Sequence, residues 1–277
     1  FAITPNLTIS LFDKKKYSGH FQIGTGVGYL TKKYDVVNNP KNNAIGSNWN
    51  AAMLMRFYAA RPINLNWKFN FGISLSHFSN GGSRLPNFGL NIPALMCGLS
   101  YSPQPLEQKD FIFHQKNKKS IRKWGVDIHS GYGLVQRFAI GGPRFPVYFV
   151  AVGGNYYLSR TNRLVSGLEY EQNKAIYFFA LHTGHSLTRN DAWKKASRMS
   201  FFIGDEFLFG RWSMNLQAGI YFGKFSFLRS GNFYTKFSTR FYLPKKGFFK
   251  QKIFLSFSLK THLSVADYFG FGGGVNF

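Results

Sequence analysis

No stretch of this sequence approaches the roughly 18 uninterrupted apolar residues that a membrane-spanning helix needs, which excludes spanning by helices. Acidic residues are scarce: 11 Asp and Glu stand against 35 Lys and Arg, a net charge of +24. Cysteine is scarcer still, with Cys97 alone among 277 residues, so no internal disulfide can form. The first residue is Phe1 rather than Met and no signal peptide is visible, so a mature chain whose signal has been removed is expected. A charge this large suggests nucleic acid, but the basic residues form no single patch. They gather between apolar segments, as in Lys14-Lys15-Lys16, Lys116 to Lys123, Lys194-Lys195 and Lys245 to Lys252. Loops meeting anionic lipid headgroups are distributed in this way, and no nucleic-acid partner is expected.

What is present is aromatic and evenly spaced. Phe supplies 32 residues and Gly 29, while mean hydropathy stays slightly negative. From Ile63 to Leu75 the odd positions read Ile63, Leu65, Trp67, Phe69, Phe71, Ile73 and Leu75. The even ones read Asn64, Asn66, Lys68, Asn70, Gly72 and Ser74. The same period of two runs through Trp212 to Phe222, Phe21 to Tyr29, Trp124 to Tyr132 and Phe269 to Phe277. Soluble strands run about 5–6 residues, whereas membrane strands need about 9–11. One apolar, aromatic face and one polar or Gly face over that length is the pattern of an outer-membrane barrel.

The expected fold is therefore all-β, an antiparallel transmembrane β-barrel of about 12 strands filling residues 1–277 as a single domain. The strands are expected near 18–30, 47–60, 63–79, 89–102, 122–136, 145–159, 163–173, 198–209, 212–223, 233–243, 252–263 and 267–277. Residues 1–17 are left as an N-terminal extension or extra strand. Arg61-Pro62, Arg160 to Asn162 and Gly210-Arg211 are expected as tight turns, and 31–46, 174–197 and 224–232 as longer loops. With short turns on the periplasmic side, both termini fall there. The long 103–121 and the short Ser264 to Ala266 strain that alternation.

His77 and Ser79 share the phase of Phe71, Ile73 and Leu75, so both point toward lipid at one strand end. Polar groups against hydrocarbon are costly without partners. Either the strand has reached the headgroup zone there, or the pair has a use. Residues two apart on one strand face bring an imidazole near a hydroxyl, the arrangement that turns a serine into an acyl-transfer nucleophile.

The stretch His77-Phe78-Ser79-Asn80-Gly81-Gly82, followed by Leu85-Pro86-Asn87-Phe88-Gly89, resembles the active-site segment of the lipid A 3-O-deacylases, the PagL-like family. That pattern is His-x-Ser-Asn, a Gly soon after, then Pro-Asn-x-Gly. The resemblance is strong over residues 71–102, and the segment Lys260-Thr261-His262 to Asp267-Tyr268 is similar to Bacteroidetes relatives. Family members of about eight strands are smaller barrels than the one expected here. The resemblance implies an outer-membrane hydrolase of lipid A acyl esters. It makes Ser79 the nucleophile, His77 the general base, and Asn80, Asn87 or the Gly82 amide the oxyanion donors. The family's acidic residue falls at Asn91. An amide can hold an imidazole but does not stabilise its cation.

Glu169 and Glu171 are in lumen phase and are expected to pair with Lys236, Arg240 and Lys260 rather than to replace the missing acid. Asp205 is in outward phase with no evident reason. His129 and His262 read as lumen residues, and His114, His182 and His185 sit in connections. None has metal-ligand spacing, so neither a metal nor a cofactor is expected. Three functions compete. The first is a lipid A deacylase acting on lipopolysaccharide. The second is an inactive deacylase-like barrel serving as a subunit of a larger outer-membrane complex. The third is a passive pore.

Overall fold

The computed structural model describes residues 1–14, 16–103, 123–223, 231–244, 252–263 and 265–277. The basic cluster at 116–123 and His114 lie outside them, apart from Lys123. Two compact units form, one of Phe1–Asn80 with Asn87–Lys119, the other of Gly81–Pro86 with Ser120–Phe277.

The first unit is an antiparallel sheet of β1 (Ala2–Ile3), β2 (Asn6–Lys14), β3 (Tyr17–Tyr29), β4 (Trp49–Pro62), β5 (Trp67–Ser79) and β6 (Leu90–Tyr101). Its order is β1-β3-β4-β5-β6, with β2 also on β3. Residues 1–17 thus supply strand edge along β3, from Ala2 opposite Gly28 to Lys14 opposite Tyr17. The strand expected to begin at residue 63 begins at Trp67 instead. Asn64 Oδ1 accepts from the amides of Asn66 and Trp67, each at 2.9 Å, closing an Asx turn that overrides the local alternation.

The second unit contains β7 (Trp124–Val135), β8 (Phe145–Tyr157), β9 (Asn162–Asn173), β10 (Ser197–Phe209), β11 (Trp212–Tyr221), β12 (Phe233–Tyr242), β13 (Lys252–His262) and β14 (Val265–Asn276). These eight close on themselves, because β14 pairs with β7 from Phe269 opposite Leu134 to Asn276 opposite Asp127. The expected single ring of about twelve is not confirmed: the described strands form a closed barrel of eight in this unit and a sheet of six in the other. Alternation specifies which way side chains point, and it is the same in a strand of either sheet. The connection 174–197 also differs from a plain loop. It holds α1 (Lys174–His182) and α2 (Arg189–Ala196), capped by Asn173 accepting from Ala175 N and by Thr188 accepting from Asp191 N.

The barrel's outward face carries Ile203, Leu216, Ile220, Leu255, Phe257 and Phe271, all exposed. Its inward face is buried and charged. Glu206 accepts from Arg163 Nη2 at 2.8 Å, Arg240 Nη1 at 2.9 Å, Ser213 Oγ at 2.5 Å and Tyr242 OH at 2.9 Å. Asp127 takes the same two guanidiniums at 3.2 and 3.1 Å. Glu169 pairs with Lys236 at 2.6 Å and Lys260 at 2.9 Å, and Glu171 with Lys260 at 2.7 Å and with Arg198. The expected lumen pairs form for Lys236 and Lys260, but Arg240 serves Asp127 and Glu206 instead. His129 bonds Ser256 Oγ at 2.7 Å, and His262 bonds Asp267 at 3.1 Å. Outward-facing Asp205 takes the Asn162 side-chain amide. Glycine admits the bulky rings of this interior: a Cβ at Gly219 would lie 2.2 Å from Tyr234 Cζ.

Candidate functional site

The antiparallel register of the first unit sets His77 opposite Met53 on β4 and Asn91 on β6. Facing residues on neighbouring strands lie about 5 Å apart, close enough for side chains to bond. His77 Nδ1 and Asn91 Oδ1 are 2.7 Å apart. Since an amide oxygen only accepts, this contact assigns a donor role to Nδ1. Among the described residues, no carboxylate bonds His77.

Ser79 lies two residues on, at the last position of β5. It is buried, at 5 % exposure. Its Oγ faces Asn87, whose Nδ2 donates to it at 3.0 Å and whose Oδ1 is 3.2 Å away. The same Oδ1 accepts from Asn80 N at 2.9 Å. Asn87 therefore ties the serine to the backbone just beyond it. Of the sequence-based candidates, the structure brings His77 to Asn91, and Ser79 and Asn80 to Asn87. Gly82 falls with the second unit, where Gln136 N donates to its carbonyl at 2.8 Å and Gln136 Oε1 accepts from Leu85 N at 2.7 Å.

Two further contributors carry no reactive group, one inside the Pro-Asn-x-Gly motif and one outside it. Gly89 has φ of +81°, and a Cβ there would stand 2.7 Å from His77 Cε1. Only a glycine lets the backbone pass so close to the ring. Residues 30–48, between β3 and β4, supply the second. Gly89 N donates to Ala44 O at 3.0 Å and Phe88 N to Asn43 O at 3.4 Å. That segment is stitched by short polar side chains. Asp35 Oδ1 accepts from Asn38 N at 2.8 Å and Val37 N at 3.0 Å, which holds the Asp35 carboxyl below its ordinary range. Asn48 Nδ2 donates to Leu30 O at 2.9 Å.

The face that carries His77 continues as apolar rungs. Met55, Leu75 and Pro93 form the next, and Phe57, Ile73 and Leu95 the one after. With Ser74 and Ala94 these line a groove of about 550 Å³. Phe88, between Asn87 and Gly89, is 80 % exposed.

Residues 5–100 match the family model described as lipid A 3-O-deacylase (PagL), and residues 124–277 match acyloxyacyl hydrolase, C-terminal domain. No curated protein sequence matches the chain. Solved structures similar to it include a Pseudomonas aeruginosa FadL homologue, at 7% identity, covering 99% of this chain and 75% of that one with a TM-score of 0.23. Another is the FrpB iron transporter from Neisseria meningitidis, at 9% identity over 99% of this chain and 54% of that one, with a TM-score of 0.21. At such scores neither likeness bears on the fold or the site.

Proposed function

Because the chain belongs to the lipid A 3-O-deacylase and acyloxyacyl hydrolase family of outer-membrane β-barrels, we propose that it is a serine esterase that removes an acyl chain from lipopolysaccharide at its lipid-facing wall. The observation that carries this reading is the contact of His77 Nδ1 with Asn91 Oδ1. With Nδ1–H donated to Asn91 at 2.7 Å, Nε2 is free to act as a base two residues from Ser79 on the same face.

In the reaction, Ser79 Oγ attacks the ester carbonyl and His77 Nε2 takes the hydroxyl proton. The tetrahedral intermediate collapses as His77 returns that proton to the sugar oxygen, leaving an acyl-serine. Water then attacks the acyl-serine. His77 accepts the water's proton and passes it to Ser79, and the fatty acid leaves. Asn87 Nδ2, 3.0 Å from Ser79 Oγ, is a side-chain donor for the oxyanion. Asn80 is a further candidate through its amide. The acyl chain would follow the apolar rungs from His77 to Ile73. Those four residue steps span about 13 Å of strand, the length of roughly ten extended carbons. In this reading the His77 end of β5 meets the outer leaflet, both termini are periplasmic, and basic loop residues such as Lys32, Lys33 and Lys41 attract lipid A phosphates.

Mass spectrometry of lipid A treated with the purified protein tests the proposal. Wild type is expected to release a fatty acid. Ser79→Ala is expected to release it at least about a thousand-fold more slowly. Equal acyl content after both treatments would refute the assignment.

The competing pore reading meets a lumen occupied by Asp127, Glu169, Glu171 and Glu206 bonded to Arg163, Lys236, Arg240, Lys260 and Arg198. Buried charges held by several partners each do not rearrange cheaply. The protein is expected to be electrically silent in planar bilayers, and stepwise conductance would revive the pore.

A further inference from the structure

We infer that Asn42 is a positioning residue for His77, acting through Gly89, an inference that rests on the esterase reading above. The imidazole is held at two points. Asn91 takes Nδ1, and the Gly89 backbone forms a wall at Cε1, the ring atom between the two nitrogens. An atom at the Gly89 Cβ position would lie 2.7 Å from Cε1 and 3.5 Å from Nε2, so the wall stands next to the nitrogen that must accept the serine proton. Hydrogen bonds fix the orientation of a catalytic histidine more firmly when the supporting backbone is itself fixed.

What fixes Gly89 is the segment facing it. Its amide donates to Ala44 O at 3.0 Å. Ala44 is in turn set by Asn42, whose Oδ1 accepts from Ala44 N at 3.1 Å and from Ile45 N at 3.3 Å. Asn42 Nδ2 reaches back across the segment to Lys32 O at 3.0 Å. Ile45 is 2 % exposed, and its carbonyl accepts from Tyr34 N at 2.7 Å. One asparagine side chain therefore joins both arms of residues 30–48 and holds the turn that presents the Ala44 carbonyl. Losing Asn42 frees Ala44, then Gly89, then the imidazole edge, without touching substrate or either reacting atom.

The test uses the full chain in detergent with nitrogen-15-labelled histidine. The His77 signals are identified by their loss in His77→Gln. Wild type is expected to show one tautomer, protonated at Nδ1. In Asn42→Ala, with far-ultraviolet circular dichroism unchanged, both tautomers are expected, and kcat on lipid A falls by roughly ten- to a hundred-fold at constant KM. Asn42→Asp keeps the acceptor for Ala44 and Ile45 but loses the donor to Lys32 O, and is expected to fall between wild type and Asn42→Ala in both tautomer and turnover. Gly89→Ala is expected to disturb the ring directly. Unchanged imidazole signals in Asn42→Ala or in Gly89→Ala would overturn the inference. The spectroscopic arm is read even if wild type proves inactive on lipid A. Failure of the esterase reading is then seen as absent fatty acid, and failure of the positioning role as an unmoved ring.

Discussion

Asn91→Asp is expected to raise kcat by about a thousand-fold at nearly constant KM. The replacement is isosteric, so the 2.7 Å contact with His77 Nδ1 survives and the base keeps the same tautomer. What changes is charge. When Ser79 attacks, the imidazole becomes a cation, and an amide oxygen offers it only a dipole. A carboxylate about 4 Å from the cation at an effective dielectric near 20 contributes about 4 kcal/mol, close to three decades in rate. The comparable loss in a serine protease is about ten-thousand-fold, in a site closed to water. Asn91 is exposed on the strand face, so the smaller figure is the better guide. Fatty-acid release measured against substrate concentration reads the effect. A variant that folds but turns over no faster than wild type would mean that no cation develops at His77. A silent wild type beside an active Asn91→Asp would identify a dormant enzyme, favouring the subunit role over the deacylase. Ser79→Ala in the Asn91→Asp background must abolish the gain.

Much of this fold is legible from side-chain alternation, and the reason is physical. A strand with lipid on one side and protein on the other must alternate, and β3 to β14 each fall within or beside a segment where it does. Closure is another matter. It depends on β14 meeting β7 across a sequence separation of more than a hundred residues, as in Asn276 opposite Asp127. Nothing in the period of either strand distinguishes that pairing from a longer ring. Local polar chemistry explains the smaller misses. Asn64 spends its side chain on an Asx turn and so shortens β5, and the two short helices rest on caps at Asn173 and Thr188 rather than on a long amphipathic run.

The site divides along the same line. His77, Ser79, Asn87 and Asn91 are visible because their residue types carry chemistry and their spacing is local. The contact of His77 with Asn91 then follows from register alone. Gly89 is visible as the last residue of the Pro-Asn-x-Gly motif, but its place beside the His77 ring, and the part of Asn42, are visible only in three dimensions. A glycine that makes room for an imidazole looks like any turn glycine, and an asparagine 47 residues before Gly89 that fixes the Ala44 carbonyl resembles its neighbours Asn38, Asn39 and Asn43.

Glu206→Ala is expected to destabilise the barrel by at least about 3–5 kcal/mol, the cost of breaking a buried ion pair from one side. Two arginines, Arg163 and Arg240, converge on this carboxylate, and both are buried with it. Asp127 remains to neutralise one of them, so the variant strands a single positive charge inside the lumen. Charge balance gives the prediction its control. Glu206→Leu combined with Arg163→Leu leaves Arg240 opposite Asp127, one cation for one anion. That double variant is expected to recover most of the loss, since buried pairs replaced whole by apolar side chains often cost little. Asp205→Ala, at the adjoining outward position, is expected to change stability by less than about 1 kcal/mol. Urea unfolding in micelles, followed by tryptophan fluorescence, measures these three variants together with the single Glu206→Leu and Arg163→Leu. If the double variant loses as much as its two single variants added together, the residues are not coupled, and the lumen network is not what holds this barrel closed.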